Sequence, residues 1–169
     1  MKLSTKLEKV LNDQINLELN SAYAYLGMAA YFDSTPFTGF AKWMHVQSQE
    51  EFGHANRFFK YIVERGGKVT LKALPEPKCA YKSALEAFRS SLSHEQKVSA
   101  AICAIYDQAG TEKDYPTQSF LKWFLDEQVE EERNVGEMLA KLEMIGENTN
   151  GLFQLDKLAG RRGAEGDKS

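Results

Sequence analysis

The 169-residue sequence is short of cysteine, proline and basic surplus, and each shortage removes a class of protein. Two cysteines, Cys79 and Cys103, lie far apart with no CxxC spacing. That excludes a disulfide framework and a cysteine-rich zinc site, and it predicts reduced thiols. The four prolines, Pro36, Pro75, Pro77 and Pro116, punctuate long periodic segments and interrupt none of them. Net charge is −3, without the basic surplus of a general nucleic-acid binder. No run is apolar for long enough to span a bilayer. The charged stretch 1–11 lacks the apolar centre of a signal peptide. These absences predict a cytoplasmic protein with neither nucleic acid nor membrane as partner. Strand-like alternation persists nowhere.

What remains is helical periodicity. The first helix is predicted over Thr5 to Asp33. Ser34 or Thr35 is expected to cap a second helix, with Pro36 in its first turn, running to about Arg65 before Gly66-Gly67. Residues 68–82, with Leu-Pro-Glu-Pro in the middle, form a long link. Ser83 and Glu86 fit a capping box that opens a third helix ending near Gly110. Asp114 and Pro116 open a fourth, which stops at Gly146. A short apolar stub, Leu152 to Leu158, follows, with its leucines and Phe153 expected to be exposed on a monomer. Two short links make antiparallel neighbours, and the long link allows the second and third helices to run parallel. The prediction is an all-α four-helix bundle with one long crossover and a short C-terminal fifth helix. Residues 1–160 form the bundle and 161–169 a disordered polar tail.

The buried stripes carry the chemistry. The first helix reads Leu7, Leu11, Gln14, Glu18, Ser21, Tyr25, Met28, Phe32. The second reads Phe37, Phe40, Met44, Gln47, Glu51, His54, Phe58, Tyr61. The third reads Leu85, Phe88, Leu92, Glu95, Ser99, Ile102, Tyr106. The fourth reads Leu121, Phe124, Gln128, Glu131, Val135, Met138, Leu142. Every stripe is broken by an acid near its midpoint, and in a bundle the midpoints share one level. Glu18, Glu51, His54, Glu95, Gln128 and Glu131 therefore converge. No lysine or arginine occupies the stripes there, so the buried charges call for external cations. Carboxylates with one histidine suit iron or manganese better than zinc or copper. The Glu51–His54 pair, spaced i, i+3, presents both groups on one face, as in di-iron carboxylate bundles.

Single residues of this kind have plainer roles. A lone buried histidine is most often a hydrogen-bonded core residue, and a lone stripe glutamate most often reaches water at its edge. Four coincident breaks at one level are what set this chain apart. His45 and His94 are expected on the surface, and Trp43 and Trp123 in ordinary packing. Of the run Glu130, Glu131 and Glu132, at least one must face inward, because consecutive helical residues fan over about 200°.

The residues that carry this pattern resemble the ferritins, specifically the haem-free ferritins of bacteria. They are Asn16-Leu17-Glu18 with Tyr25, the segment 49–54 (Gln-Glu-Glu-Phe-Gly-His), Glu95, the segment 126–132 (Asp-Glu-Gln-Val-Glu-Glu-Glu), and the turn 114–117. The resemblance covers about Leu7 to Leu158. It implies that Glu18, Glu51 and His54 form one iron site, with Glu51 bridging to a second completed by Glu95 and Glu131. Gln128 would hydrogen-bond nearby, and Tyr25 would supply an electron. Glu50, Glu127, Glu130 and Glu131 would form a third site. It further implies ferroxidase activity on Fe(II) with O2 or H2O2, and a homo-oligomeric shell of about 24 chains that stores mineral. Haem is not expected: Phe52 stands where bacterioferritins carry their haem methionine, and Asn134 follows Glu131 where they repeat the Glu-x-x-His. Gln118 and Leu121 replace the acids that line three-fold pores in animal heavy chains. The rival expectation is a soluble di-iron oxidase or peroxidase of the same fold that does not mineralise. A purely structural bundle would leave the four central acids without a purpose.

Overall fold

The computed structural model describes residues 2–161. The predicted tail 161–169 lies outside them except for Arg161. Among the described residues there are five helices: α1 Thr5–Asp33, α2 Thr38–Glu64, α3 Ala84–Thr111, α4 Tyr115–Ile145 and α5 Thr149–Ala159. None is long and apolar enough to cross a membrane. Serine and aspartate caps open three of the long helices. Ser4 accepts from the Leu7 amide, Ser83 from that of Glu86, and Asp114 from that of Thr117. The predicted capping box is modified, because the Glu86 carboxylate reaches back to the Lys82 amide at 2.6 Å.

The start of α2 differs from the expectation. Ser34 is the C-cap of α1, and Thr35 bonds back to Phe32, so neither caps α2. The helix opens at Thr38 after Phe37, which supplies no side-chain cap, and Pro36 precedes it. The cap comes from α5 instead: Asp156 Oδ1 accepts from the Phe40 amide at 2.7 Å. Gly39 permits that approach, since a Cβ there would lie 1.8 Å from the Asp156 carbonyl oxygen. The docking buries Leu155 and half-buries Leu152, contrary to the expectation that the stub's four apolar residues are exposed, while Phe153 and Leu158 do remain exposed.

Two apolar clusters reveal the topology. One joins Phe32, Phe40, Phe88, Leu142 and Leu155, and the other joins Leu7, Ile62, Ile105, Ala109 and Leu121. The N-terminal ends of α2 and α3 thus share one end of the bundle with the C-terminal ends of α1 and α4. So α2 and α3 run parallel, and each is antiparallel to its hairpin partner, as predicted. Full burial of an aromatic or leucine side chain contributes about 1.5–3 kcal/mol, and both clusters are rich in them.

The crossover runs extended along α1. Asn12 and Asn16, one turn apart, hold it by their amides: Asn12 bonds to the Lys68 carbonyl and the Thr70 amide, and Asn16 to the Thr70 carbonyl and the Lys72 amide, at 2.6–3.0 Å. Farther along, Gly27 lets the strap lie close; a Cβ there would be 2.7 Å from the Lys78 carbonyl oxygen. Cys79 and Cys103 are free and exposed.

Candidate metal centre

Between the two apolar clusters lies a layer of buried polar side chains. It contains Gln14, Glu18 and Ser21 of α1, Gln47, Glu51 and His54 of α2, Ser91 and Glu95 of α3, and Gln128 and Glu131 of α4. Helix periodicity places them there, because each continues the stripe that packs the apolar ends. Glu18 and Glu51 are fully buried. Ligand atoms of Glu18, Glu51 and His54 lie within 4.8 Å of one another, and this is the one such group of three found among the described residues. His54 Nδ1 is 3.6 Å from Glu51 Oε2. The Trp123 and Phe124 rings pack nearly perpendicular to the imidazole, and the Arg57 guanidinium lies 3.6 Å over the Trp123 ring.

The donors around these groups are too few. Glu18 Oε1 accepts from the Gln14 amide at 2.8 Å, but Glu18 Oε2, both oxygens of Glu51 and Nδ1 of His54 have no hydrogen-bond partner. Burial first, and then the Glu51 charge, pushes the Glu18 carboxyl well above the usual carboxylate range. Burial, followed by the charge of Glu95, does the same to Glu51. A buried, unpartnered carboxylate is costly unless a cation meets it. The donor set of oxygens with one imidazole suits a hard divalent ion such as Fe(II) or Mn(II).

The other half of the layer is hydrogen-bonded. Tyr25 donates its phenol proton to Glu95 Oε1 and shares a 2.8 Å bond with Ser91. Gln128 Nε2 lies 3.2 Å from Glu95 Oε2, and Gln47 Nε2 lies 3.0 Å from Glu131 Oε2. Burial raises the Glu95 carboxyl, while the Tyr25 and Gln128 bonds pull against it. Burial, with the Glu95 and Glu51 charges, holds the Tyr25 phenol well above its ordinary value.

All six predicted layer residues are buried at one level. Glu50 and Glu127 are half-buried beside it, and Glu130 is exposed, 3.7 Å from Arg133. These three do not join the close cluster. His45 is exposed and pairs with Asp33 at 2.9 Å, as a surface residue should. His94, also expected on the surface, is half-buried; burial and nearby Lys97 lower its pKa. Sequence reasoning missed Ser91 and gave no role to Gln14 or Gln47. A signal existed for the glutamines: each sits four residues before a layer glutamate, in the same stripe.

Comparison with known proteins agrees with this geometry. The ferritin-like domain family matches residues 8–145. A bacterial non-heme ferritin of Staphylococcus aureus is 42% identical over 160 residues, covering 95% of this chain and 96% of that protein. Its counterpart in Staphylococcus haemolyticus is 42% identical over 155 residues, covering 92% and 93%. An open-pore ferritin from the archaeon Archaeoglobus fulgidus superposes with a TM-score of 0.94 at 44% identity, over 96% of this chain and 100% of that one. An engineered closed form of the same archaeal ferritin gives 0.93 at 44% identity, over 96% and 99%. With the match spanning most of its length and the acid layer contributed by four helices, the chain belongs to the ferritins, as a haem-free, bacterial-type member.

Proposed function

We propose that this protein stores iron: it oxidises Fe(II) at a di-iron site inside each chain and lays down the Fe(III) product as mineral in a hollow homo-oligomeric shell of about 24 chains. The observation that carries this reading is the set of unpartnered, buried ligand atoms on Glu18, Glu51 and His54. These three residues hold the first Fe(II). Glu51 reaches toward Glu95 and Glu131, which hold the second. Two Fe(II) together release two electrons to one O2 or H2O2, and hard carboxylate oxygens favour Fe(III) over Fe(II). Tyr25, bonded to Glu95, stands ready to supply a further electron. Gln128 keeps an amide donor on the same carboxylate. Glu50, Glu127 and Glu130, with Glu131, offer a weaker outer iron site on the way to the mineral. The free, exposed thiols suit the reducing cytoplasm.

The test is iron loading. Apo-protein given excess Fe(II) in air is gel-filtered, and iron is measured per chain. Storage predicts tens of irons or more per chain on a large particle. About two per chain on a small oligomer would indicate a di-iron oxidase or peroxidase instead. No retained iron, with oxidation no faster than in buffer, would overturn the proposal.

A further inference from the structure

Glu132 belongs to the acidic run of α4, yet it does not simply face water. It is half-buried, and its Oε1 accepts the hydroxyl proton of Ser99 on α3 at 2.5 Å. Ser99 in turn lies 3.3 Å from Gln128 Nε2. The same amide nitrogen is 3.3 Å from the Glu95 carbonyl oxygen and 3.2 Å from Glu95 Oε2. Glu95 and Ser99 are one turn apart on α3, and Gln128 and Glu132 one turn apart on α4. The four side chains make a hydrogen-bonded chain, Glu132–Ser99–Gln128–Glu95, that crosses back and forth over the α3–α4 hairpin.

The order of donors in this hydrogen-bonded chain has a consequence. A serine hydroxyl owns one proton, and Glu132 takes it. Toward Gln128, Ser99 can then only accept. Gln128 meets three acceptors on one side, so its N–H edge, not its carbonyl, must face Glu95. Without Glu132, the Ser99 hydroxyl is free to donate to the Gln128 carbonyl oxygen. That would stabilise the turned-over amide, with its oxygen against the Glu95 carboxylate. Such an arrangement repels the carboxylate and leaves it unaimed.

We propose that Glu132 and Ser99 are positioning residues: by consuming the Ser99 proton, Glu132 removes the one donor that would favour a turned-over Gln128 amide and so reinforces the orientation that the Glu95 oxygens select, and the amide holds Glu95 in place to receive the second metal ion. This rests on the reading above that Glu95 is an iron ligand. Neither residue touches the ion, so the effect is confined to the α3–α4 half of the layer.

The experiment is an anaerobic titration of apo-protein with Co(II), followed by its visible absorbance. The wild type takes up two equivalents. Ser99→Ala and Glu132→Ala each weaken the second equivalent about five- to tenfold, the scale of one lost hydrogen bond, and leave the first unchanged. The double variant is no weaker than either single one, because both act through the same amide. Glu132→Gln, which keeps an acceptor for Ser99 but loses the charge, stays within about twofold of wild type. It also preserves shape, so the comparison stands if an alanine variant folds poorly. Unchanged second-site binding in both alanine variants overturns the positioning role. So does a multiplicative loss in the double variant, or Glu132→Gln as weak as Glu132→Ala, which would mean that charge alone matters. In those cases the wild type still binds two ions and the di-iron reading survives. A wild type that binds none overturns both.

Discussion

On the α1–α2 side of the polar layer, Glu51 has two buried oxygens without a hydrogen bond; on the α3–α4 side, Glu95 has both oxygens engaged, by Tyr25 and by Gln128. The two carboxylates sit at the same level of the same bundle, and both are buried. Their difference lies in what the fold supplies before any cation arrives. Each unmet buried polar atom costs about 1–3 kcal/mol, so the α1–α2 half is held in a state that a cation relieves. The α3–α4 half is already satisfied, and a cation there must displace a phenol or an amide. The contrast predicts ordered filling: Glu18, Glu51 and His54 bind first and tightly, Glu95 and Glu131 second and weakly. A weak second site also suits the proposed storage role, in which iron is passed on to the mineral.

The largest expected effect is on catalysis. In the proposed site Glu51 serves both ions, so Glu51→Ala should slow Fe(II) oxidation more than about hundredfold, beyond the loss typical of outer partners. Glu95→Ala should also slow it sharply while sparing uptake of the first ion. Stopped-flow oxidation in air reads both, and wild-type rates in either variant would remove that residue from the site.

The next effect sharpens the contrast through its sign. In chelator, above the ordinary carboxylate range, Glu51→Gln should raise the stability of the apo-protein by about 1 kcal/mol, since burial and the Glu95 charge oppose ionisation of the Glu51 carboxyl and an amide does not ionise. Glu95→Gln should lower stability by a similar amount, because its amide cannot accept from both Tyr25 and Gln128. Urea unfolding of the two variants decides this, and equal signs would erase the distinction between the halves.

The pH dependence follows from the same groups. The folded apo-protein binds the Glu18 and Glu51 protons more tightly than the unfolded chain does. Their contribution is therefore fully present below the ordinary carboxylate range. It is lost as pH rises through the raised folded values. Asp114, held low by Arg65 against its burial, works in the opposite direction and loses its contribution as pH falls through its lowered value. The informative quantity is the difference between wild type and Glu51→Gln. Wild-type apo stability should fall more steeply with rising pH, and a shallower fall would contradict the burial argument.

The smallest effect is expected for Tyr25→Phe. Losing the bonds to Glu95 and Ser91 should cost about 1 kcal/mol and leave two-ion binding intact. Slower or altered later turnovers in oxidation assays would mark the phenol as an electron source. Unchanged turnover would restrict it to packing.

Much of this layer is legible from periodicity. The predicted stripes of α1 and α4 are buried residue for residue, and that of α2 departs only at half-buried Phe37. These helices have one apolar face and little ambiguity. The stripe of α3 is rotated: Ser91, Val98 and Ile105 are buried, where Leu92, Ser99 and Tyr106 were expected. Both rows carry apolar residues, and Glu95 lies on their shared edge, so the acid was found although its neighbours were not. Ser91 escaped notice because a serine beside a stripe carries no signal until Tyr25 is seen to bond to it. The start of α2 was misplaced for a different reason. Its cap, Asp156, lies 116 residues away in sequence, and no local pattern encodes such a contact. The unequal finish of the two halves was equally hidden, since it depends on which amide meets which oxygen across helices.

The central claim is tested most directly by anaerobic Fe(II) titration of the apo-protein, with heat as the readout, in wild type and in His54→Ala. The account predicts two separable binding steps in wild type, with the first and tighter step lost in His54→Ala. Two ions bound equally well by both proteins, or no binding by wild type, would contradict it.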